Sequence, residues 1–241
     1  MAEALLTLEG VHTHIGRYHI LQGVDLRVPE GEVTMLLGRN GVGNSTTLRT
    51  ILGFWRASQG RVRFADAEIT TWPTPDIARL GIAYVPEEMG IFGNLSVREN
   101  VLLAARGGEP EDGRLRWVFG LFPALEQFWR KNAGTLSGGQ KQMLAIARAI
   151  IEPRRLIVVD EPSKGLAPAI VDHLADAFRE LKAARTTLLM VEQNIRLARA
   201  VGDSVAVMAD GRIVHTGAMA ELAGDEALQT RLLGLSLEQH Q

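Results

Sequence analysis

Short apolar runs separated by amphipathic stretches dominate this chain. Val33-Thr34-Met35-Leu36-Leu37, Ile82-Ala83-Tyr84-Val85, Leu156-Ile157-Val158-Val159, Thr187 to Val191 and Ser204 to Met208 are brief, apolar and bounded by turn residues. Runs of this kind predict strands buried on both faces, as in a parallel sheet. Between them the pattern predicts helices over Leu48 to Leu52, stopped by Gly53, and over Ile77 to Leu80, closed by Gly81. Further helices are predicted over Gln140 to Ile151, Ile170 to Leu181 and Ile195 to Val201. Strands alternating with helices indicate an α/β core.

Other stretches read differently. Leu5-Leu6-Thr7-Leu8, a turn, and the alternating Ile20 to Val28 suggest antiparallel strands, closed by the turn Pro29-Glu30-Gly31-Glu32. Ser58-Gln59-Gly60 reads as a turn leading into a strand over Arg61 to Phe64. Ser96-Val97-Arg98-Glu99 is a capping box that starts a helix running through about Ala105, before a polar loop from Gly107 to Gly113. Arg114 to Phe122 and Leu125 to Arg130 carry Trp117, Phe119, Phe122, Phe128 and Trp129 at helical spacing. These aromatics suit core packing or a surface that receives a partner's helix or loop. Asp210-Gly211 predicts a hairpin into Arg212 to His215, and a helical tail is expected over Met219 to Leu235. The pattern gives one domain: an α/β core with an N-terminal β layer (1–86 and 154–241) and an inserted helical section (87–153).

The chain has 241 residues and a net charge of −2, so no global basic excess points to nucleic acid. It has no cysteine, which rules out disulfides and thiolate metal sites. The opening MAEALLTLEG lacks a basic-then-apolar signal pattern, and no apolar run reaches the roughly 18 residues of a membrane span. Any work at a membrane is expected from the aqueous side.

Three segments carry candidate chemistry. The first is Gly38 to Thr47, GRNGVGNSTT, set between a strand and a helix. Glycines at 38, 41 and 43 permit backbone conformations that turn successive N–H groups inward, and a helix start adds its positive dipole end. The pattern G-x-x-x-x-G-K-[ST] has Asn44 where lysine belongs, so on its own the stretch suits either a phosphate loop or an ordinary strand-to-helix turn. The second is Leu136-Ser137-Gly138-Gly139-Gln140. Ser137 and Gln140 have capping-box spacing, and the two glycines leave the helix start bare to an anion. The third is Asp160-Glu161, two carboxylates at the carboxyl end of an apolar strand, where α/β sheets bind ligands or where a helix is capped.

In order, GRNGVGNSTT, VPEEMGIFGNLSVREN, LSGGQKQ, LIVVDEPSKGLAP and VEQN resemble the ATP-binding subunit of an ABC transporter over essentially the whole chain. Gly165-Leu166-Ala167-Pro168 and Glu192-Gln193-Asn194 resemble the shorter ATPase subunit of importers for branched-chain amino acids, amides or urea. The resemblance implies a P-loop NTPase (RecA-like) core, with ATP and Mg²⁺ as cofactors. It places Gly38, Arg39, Asn40, Gly41, Val42, Gly43, Asn44, Ser45 and Thr46 on the phosphates. Ser45 and Asp160 would hold Mg²⁺, with Glu87 able to ligate it or a water. Glu161 would be the general base and Gln193 would act on the γ-phosphate. Ser137, Gly138, Gly139 and Gln140 would meet ATP bound to a second, head-to-tail ATPase subunit, homo- or heteromeric. The implied setting is peripheral, on the cytoplasmic face of the inner membrane. Integral permease subunits would dock near Glu87 to Asn94, and an extracytoplasmic solute-binding protein would be an indirect partner.

The departures are specific. Glu87 stands where the family has glutamine, and Gln193 where it has histidine. The family's adenine-stacking aromatic falls at Ile15, leaving Tyr18, His14 or apolar packing. Asn44 replaces a mobile cation by a shorter neutral amide and implies weakened binding and strongly reduced hydrolysis. Lys164 is either a solvated surface lysine or a charge lent across the dimer. A non-hydrolysing regulatory subunit paired with an intact ATPase is the alternative function.

Overall fold

The computed structural model describes residues 3–105 and 107–234. Its centre is a six-stranded sheet in the order β10-β9-β3-β8-β7-β6. These strands are β3 (Val33–Gly38), β6 (Ile82–Val85), β7 (Leu156–Asp160), β8 (Thr187–Glu192), β9 (Ser204–Ala209) and β10 (Arg212–Ala218). All pairs are parallel except the hairpin of β9 and β10. Every residue of β3, β7 and β8 is buried, because both faces of the sheet are covered. Successive side chains feed two cores. Met35, Leu37, Ile157 and Val159 enter one, packed by α6 (Gly138–Ile150), α7 (Pro168–Ala183) and α8 (Ile195–Val201). Leu36, Leu156 and Val158 enter the other, with the N-terminal strands.

Those strands form a second, antiparallel sheet in the order β2-β1-β4-β5. It comprises β1 (Ala4–Ile15), β2 (Tyr18–Pro29), β4 (Ala57–Phe64) and β5 (Ala67–Glu68). The expected β layer is present, and the fold class expected from the pattern holds. Two boundaries differ. β1 continues from Leu8 to Ile15, past a bulge at Gly10, because β2 and β4 both offer it backbone partners. Ser58-Gln59-Gly60, expected as a turn, lies inside β4. A Cβ at Gly60 would sit 2.2 Å from the Gly10 carbonyl oxygen, so glycine here marks close strand approach rather than chain reversal.

The segment between β6 and β7 contains α3 (Val97–Leu102), α4 (Asp112–Leu121), α5 (Pro123–Gln127) and α6. The Ser96/Glu99 box opens α3 as expected, but the helix stops at Leu102. Phe122 is fully buried, whereas Trp117, Phe119, Phe128 and Trp129 are partly buried against the same core. Phe119 meets Trp129 edge to face at 5.0 Å. The aromatics are therefore core packing. The tail is two helices, α9 (Met219–Gly224) and α10 (Glu226–Leu233), not one. Asp225 breaks them by capping the second, accepting from the Leu228 N–H at 2.8 Å. The expected end at Leu235 lies outside the described residues. Among the described residues no helix is long and apolar enough to cross a membrane.

Candidate functional site

β3 delivers the chain to Gly38, and α1 (Asn44–Ile51) leads away from Gly43. A Cβ at Gly38 would lie 2.7 Å from the Met208 carbonyl oxygen, and Gly43 holds φ at 116° beside Leu21. Both positions therefore exclude other residues on steric grounds. α1 opens with no side-chain cap and no acidic residue in its first turn. Its first N–H groups and dipole are thus presented to whatever the loop encloses. Asn44 is buried, at 6% exposure. Its Nδ2 donates to the Gly38 carbonyl at 3.3 Å, which fixes the orientation of the amide, while its Oδ1 is buried with no hydrogen-bond partner. The side chain ties the two ends of the loop together and supplies no charge to it.

The sheet order sets the rest. β8 lies between β3 and β7, pairing Leu37 with Glu192 and Val191 with Asp160. The carboxyl ends of three strands thus converge on one edge. Ser45 Oγ donates to Asp160 Oδ1 at 3.0 Å, and Tyr84 Oη donates to Asp160 Oδ2 at 3.3 Å. Asp160 is fully buried. Burial pushes its pKa up, the two hydroxyls pull it down, and Glu161 and Glu87 push it up again. Burial and the neighbouring Asp160 raise the Tyr84 phenol, which stays protonated and a donor. Hydroxyl and carboxylate oxygens 3.0 Å apart are hard ligands of the kind Mg²⁺ takes.

Glu161 has φ 45°, left-handed backbone in a non-glycine residue, with its N–H bonded to the Val191 carbonyl at 3.0 Å. Its Oε1 accepts from Gln193 Nε2 at 2.6 Å, and the same Nε2 reaches Asn40 Oδ1 at 2.6 Å. Gln193 thus spans from the carboxylate to the glycine loop. Lys164 Nζ lies 2.5 Å from Glu87 Oε1 and 3.3 Å from Glu161 Oε2. Lys164 is 52% exposed by its side chain, and its ammonium is engaged by two carboxylates of its own chain. Glu87 faces that ammonium.

Two contributors, Tyr84 and Glu192, have no role assigned by the sequence motifs. Tyr84 could be found only by knowing that β6 lies beside β7. Glu192 left a signal, a carboxylate closing the otherwise apolar run Thr187 to Val191. It is buried, and accepts from the Ser163 N–H at 2.9 Å and from the Gln193 and Asn194 N–H groups at 3.0 Å each. Burial raises its pKa and these N–H groups lower it. One carboxylate thereby fixes both the segment after Glu161 and the segment carrying Gln193.

Ser137 to Gln140 stand apart. Among the described residues no hydrogen bond or ion pair joins them to Gly38 to Thr46. Ser137 Oγ accepts from the Gln140 N–H at 3.3 Å, and Gln140 Oε1 accepts from the Ser137 N–H at 2.9 Å. Ser137 and Gly138 are exposed, but Gly139 is buried, where a Cβ would lie 2.8 Å from Ile170 Cγ2. Gly139 gives close packing against α7, while Gly138 is open. On the N-terminal hairpin, Tyr18 is 59% exposed with the Arg17 guanidinium 5.2 Å from its ring, and His14 stacks on His19 at 4.2 Å.

Comparison with known proteins agrees with this geometry. Residues 21–164 match the family described as ABC transporter. The chain is 35% identical to the high-affinity branched-chain amino acid transport ATP-binding protein BraG of Pseudomonas aeruginosa, over 95% of this chain and all of that one. It is 34% identical to a probable branched-chain amino acid transport ATP-binding protein of Archaeoglobus fulgidus, over 90% of this chain and 93% of the other. An ATP-binding cassette of an ABC transporter solved in its ADP conformation superposes with a TM-score of 0.79 at 27% identity, covering 94% of this chain and 97% of that one.

Proposed function

The chain belongs to the ABC transporter family, whose activity is ATP hydrolysis coupled to transport, and we propose that it is the nucleotide-binding subunit of an importer for branched-chain amino acids or related small solutes. One observation carries the chemical part. A glycine loop, a hydroxyl, a buried aspartate and a second carboxylate meet at the ends of β3, β7 and β8, joined by Ser45–Asp160 and by Asn40–Gln193–Glu161. The names of the two relatives support the solute class.

In this reading the amides of Gly38 to Thr46 receive the β- and γ-phosphates of ATP. Ser45 and Asp160 would hold Mg²⁺, whose positive charge would offset the negative charge of the phosphates. Glu161 takes the proton of the attacking water, and Gln193, already hydrogen-bonded to Glu161, positions that carboxylate. Ser137, Gly138 and Gly139 serve the nucleotide of a second copy or a related subunit. Permease subunits dock at the cleft beside Tyr84, Pro86, Met89, Gly90 and Arg148, near the exposed Phe92.

Asn44 supports a second reading, a subunit that binds nucleotide without turning it over. Its amide bonds Gly38 and brings no cation, so the transition state loses a charged donor. Mg-ATP binding and hydrolysis by the chain and by Asn44→Lys decide between them. Binding by both with faster turnover by the lysine variant supports a hydrolytic site. Binding by both with no turnover by either, even with permease subunits added, supports the regulatory reading.

A further inference from the structure

A line of polar contacts crosses the site from one flank to the other. It begins at Glu87, two residues after β6, on the flank of the cleft that includes Pro86, Met89 and Gly90. Glu87 holds the Lys164 ammonium at 2.5 Å, and the ammonium lies 3.3 Å from Glu161 Oε2. The other oxygen of Glu161 takes Gln193, which ends the line at Asn40 in the glycine loop. Glu87 and Glu161 are far apart in sequence and would repel each other without a cation between them. Among the described residues Lys164 is the one cation in ion-pair contact with Glu87, Asp160 or Glu161.

The two contacts are unequal. Glu161 is 9% exposed by its side chain and fixed by Gln193 and by its own backbone bond, whereas Glu87 sits on an open flank. The ammonium therefore sits between a nearly buried, fixed carboxylate and a partly exposed one. An exposed pair alone is worth little, but this ammonium is shared with a nearly buried carboxylate.

We infer that Lys164 is a positioning residue that sets the field at the reacting carboxylate Glu161 and is itself held in place by Glu87. The inference rests on Glu161 being the general base of ATP cleavage, and adds Lys164 and its Glu87 anchor to the groups that tune that base. The device belongs to this pair of residues: it needs a carboxylate at 87 and an amine at 164.

The test is a charge exchange on the full chain, read by single-turnover cleavage of radiolabelled ATP with protein in excess, beside equilibrium Mg-ATP binding and thermal unfolding. Lys164→Glu is expected to slow cleavage at saturating ATP by about tenfold or more, and Glu87→Lys alone to slow it less. Adding Glu87→Lys to Lys164→Glu is expected to restore cleavage by about fivefold, where independent effects would multiply into a further loss. A neutral pair gives the same answer if the charge variants fold poorly: Glu87→Gln and Lys164→Met each slow cleavage, and together they slow it by less than the product of the two. Single effects that multiply in both pairs overturn the coupling while ATP binding and cleavage by the parent leave the functional reading standing. A parent chain that binds Mg-ATP and cleaves none overturns the inference and leaves the regulatory reading, and one that does not bind Mg-ATP overturns both.

Discussion

Two helices in this molecule start at glycines, and they start in opposite ways. α1 begins at Gly43 and Asn44 without a side-chain cap, against a ring of polar groups from three strands. α6 begins at Ser137 with both hydrogen bonds of a capping box closed, exposed and with no hydrogen bond or ion pair to that ring among the described residues. An uncapped helix start beside buried carboxylates and hydroxyls is incomplete until an anion arrives. A capped start is complete as local structure, so its role toward a ligand depends on something outside the chain. The difference separates what one subunit contains from what it contributes to another.

The comparison can be broken most severely on the α1 side. Glu161→Gln is expected to lower turnover by roughly 10²–10⁴-fold with Mg-ATP affinity retained, since the general base is lost and the fold is not. Equal kcat values for the two proteins remove Glu161 from the chemistry. Next in size, Asn44→Lys is expected to raise the rate by about 10²–10³-fold and to tighten ATP binding by about tenfold to a hundredfold. A steady-state rate unmoved by the lysine would show that position 44 is not what limits turnover.

On the α6 side the effects fall on stability. Gly139→Ala puts a methyl group 2.8 Å from Ile170 Cγ2, and is expected to cost about 1–3 kcal/mol in chemical denaturation. An unchanged midpoint would mean that Ile170 yields freely. Ser137→Ala breaks the box and is expected to cost about 1 kcal/mol, with Mg-ATP affinity of the isolated chain unaltered. Weaker binding by the isolated chain would show that Ser137 reaches the α1 site within one subunit.

The smallest effect compares the two capping boxes. The Ser137 box closes on neutral Gln140, while the Ser96 box closes on Glu99, whose carboxyl is held below its ordinary 4.5 by the Ser96 hydroxyl and then by the Ser96 N–H. A depressed pKa contributes stability that is complete above the unfolded value and is lost as pH falls through the folded one. The stability difference between the parent and Glu99→Gln should therefore shrink below about pH 4.5, with no such trend for the Ser137 box. Thermal unfolding scanned from neutral to acid pH measures it, and a flat difference rules the carboxylate out.

Much of this is legible in the sequence. Leu156 to Val159 can only be a strand covered on both faces, and Ser137 with Gln140 declares a helix start, because four apolar residues in a row or a cap at fixed spacing settle their structure within a few positions. The pattern misleads where neighbours distant in sequence decide. Gly60 looks like a turn until Gly10 is known to press against it, and β1 looks four residues long until strands on both sides extend it. A tail with helical pattern carries no warning that Asp225 caps a second helix.

The sequence by itself determined the α/β alternation, the place of each glycine loop, and the order of motifs that identified the family. Those are properties of short segments, whose hydrogen bonds and apolar faces are specified locally. Only the tertiary structure decided that β8 lies between β3 and β7, and with that order came the contacts of the site. Gln193 bridges Asn40 and Glu161, Tyr84 donates to Asp160, and Glu192 ties two loops together. Lys164 is taken up by two carboxylates of its own chain. Apart from Lys164 with Glu161, three residues away, none of these pairings has a sequence spacing that predicts it, because strand order is fixed by how the layers bury their apolar faces and not by distance along the chain.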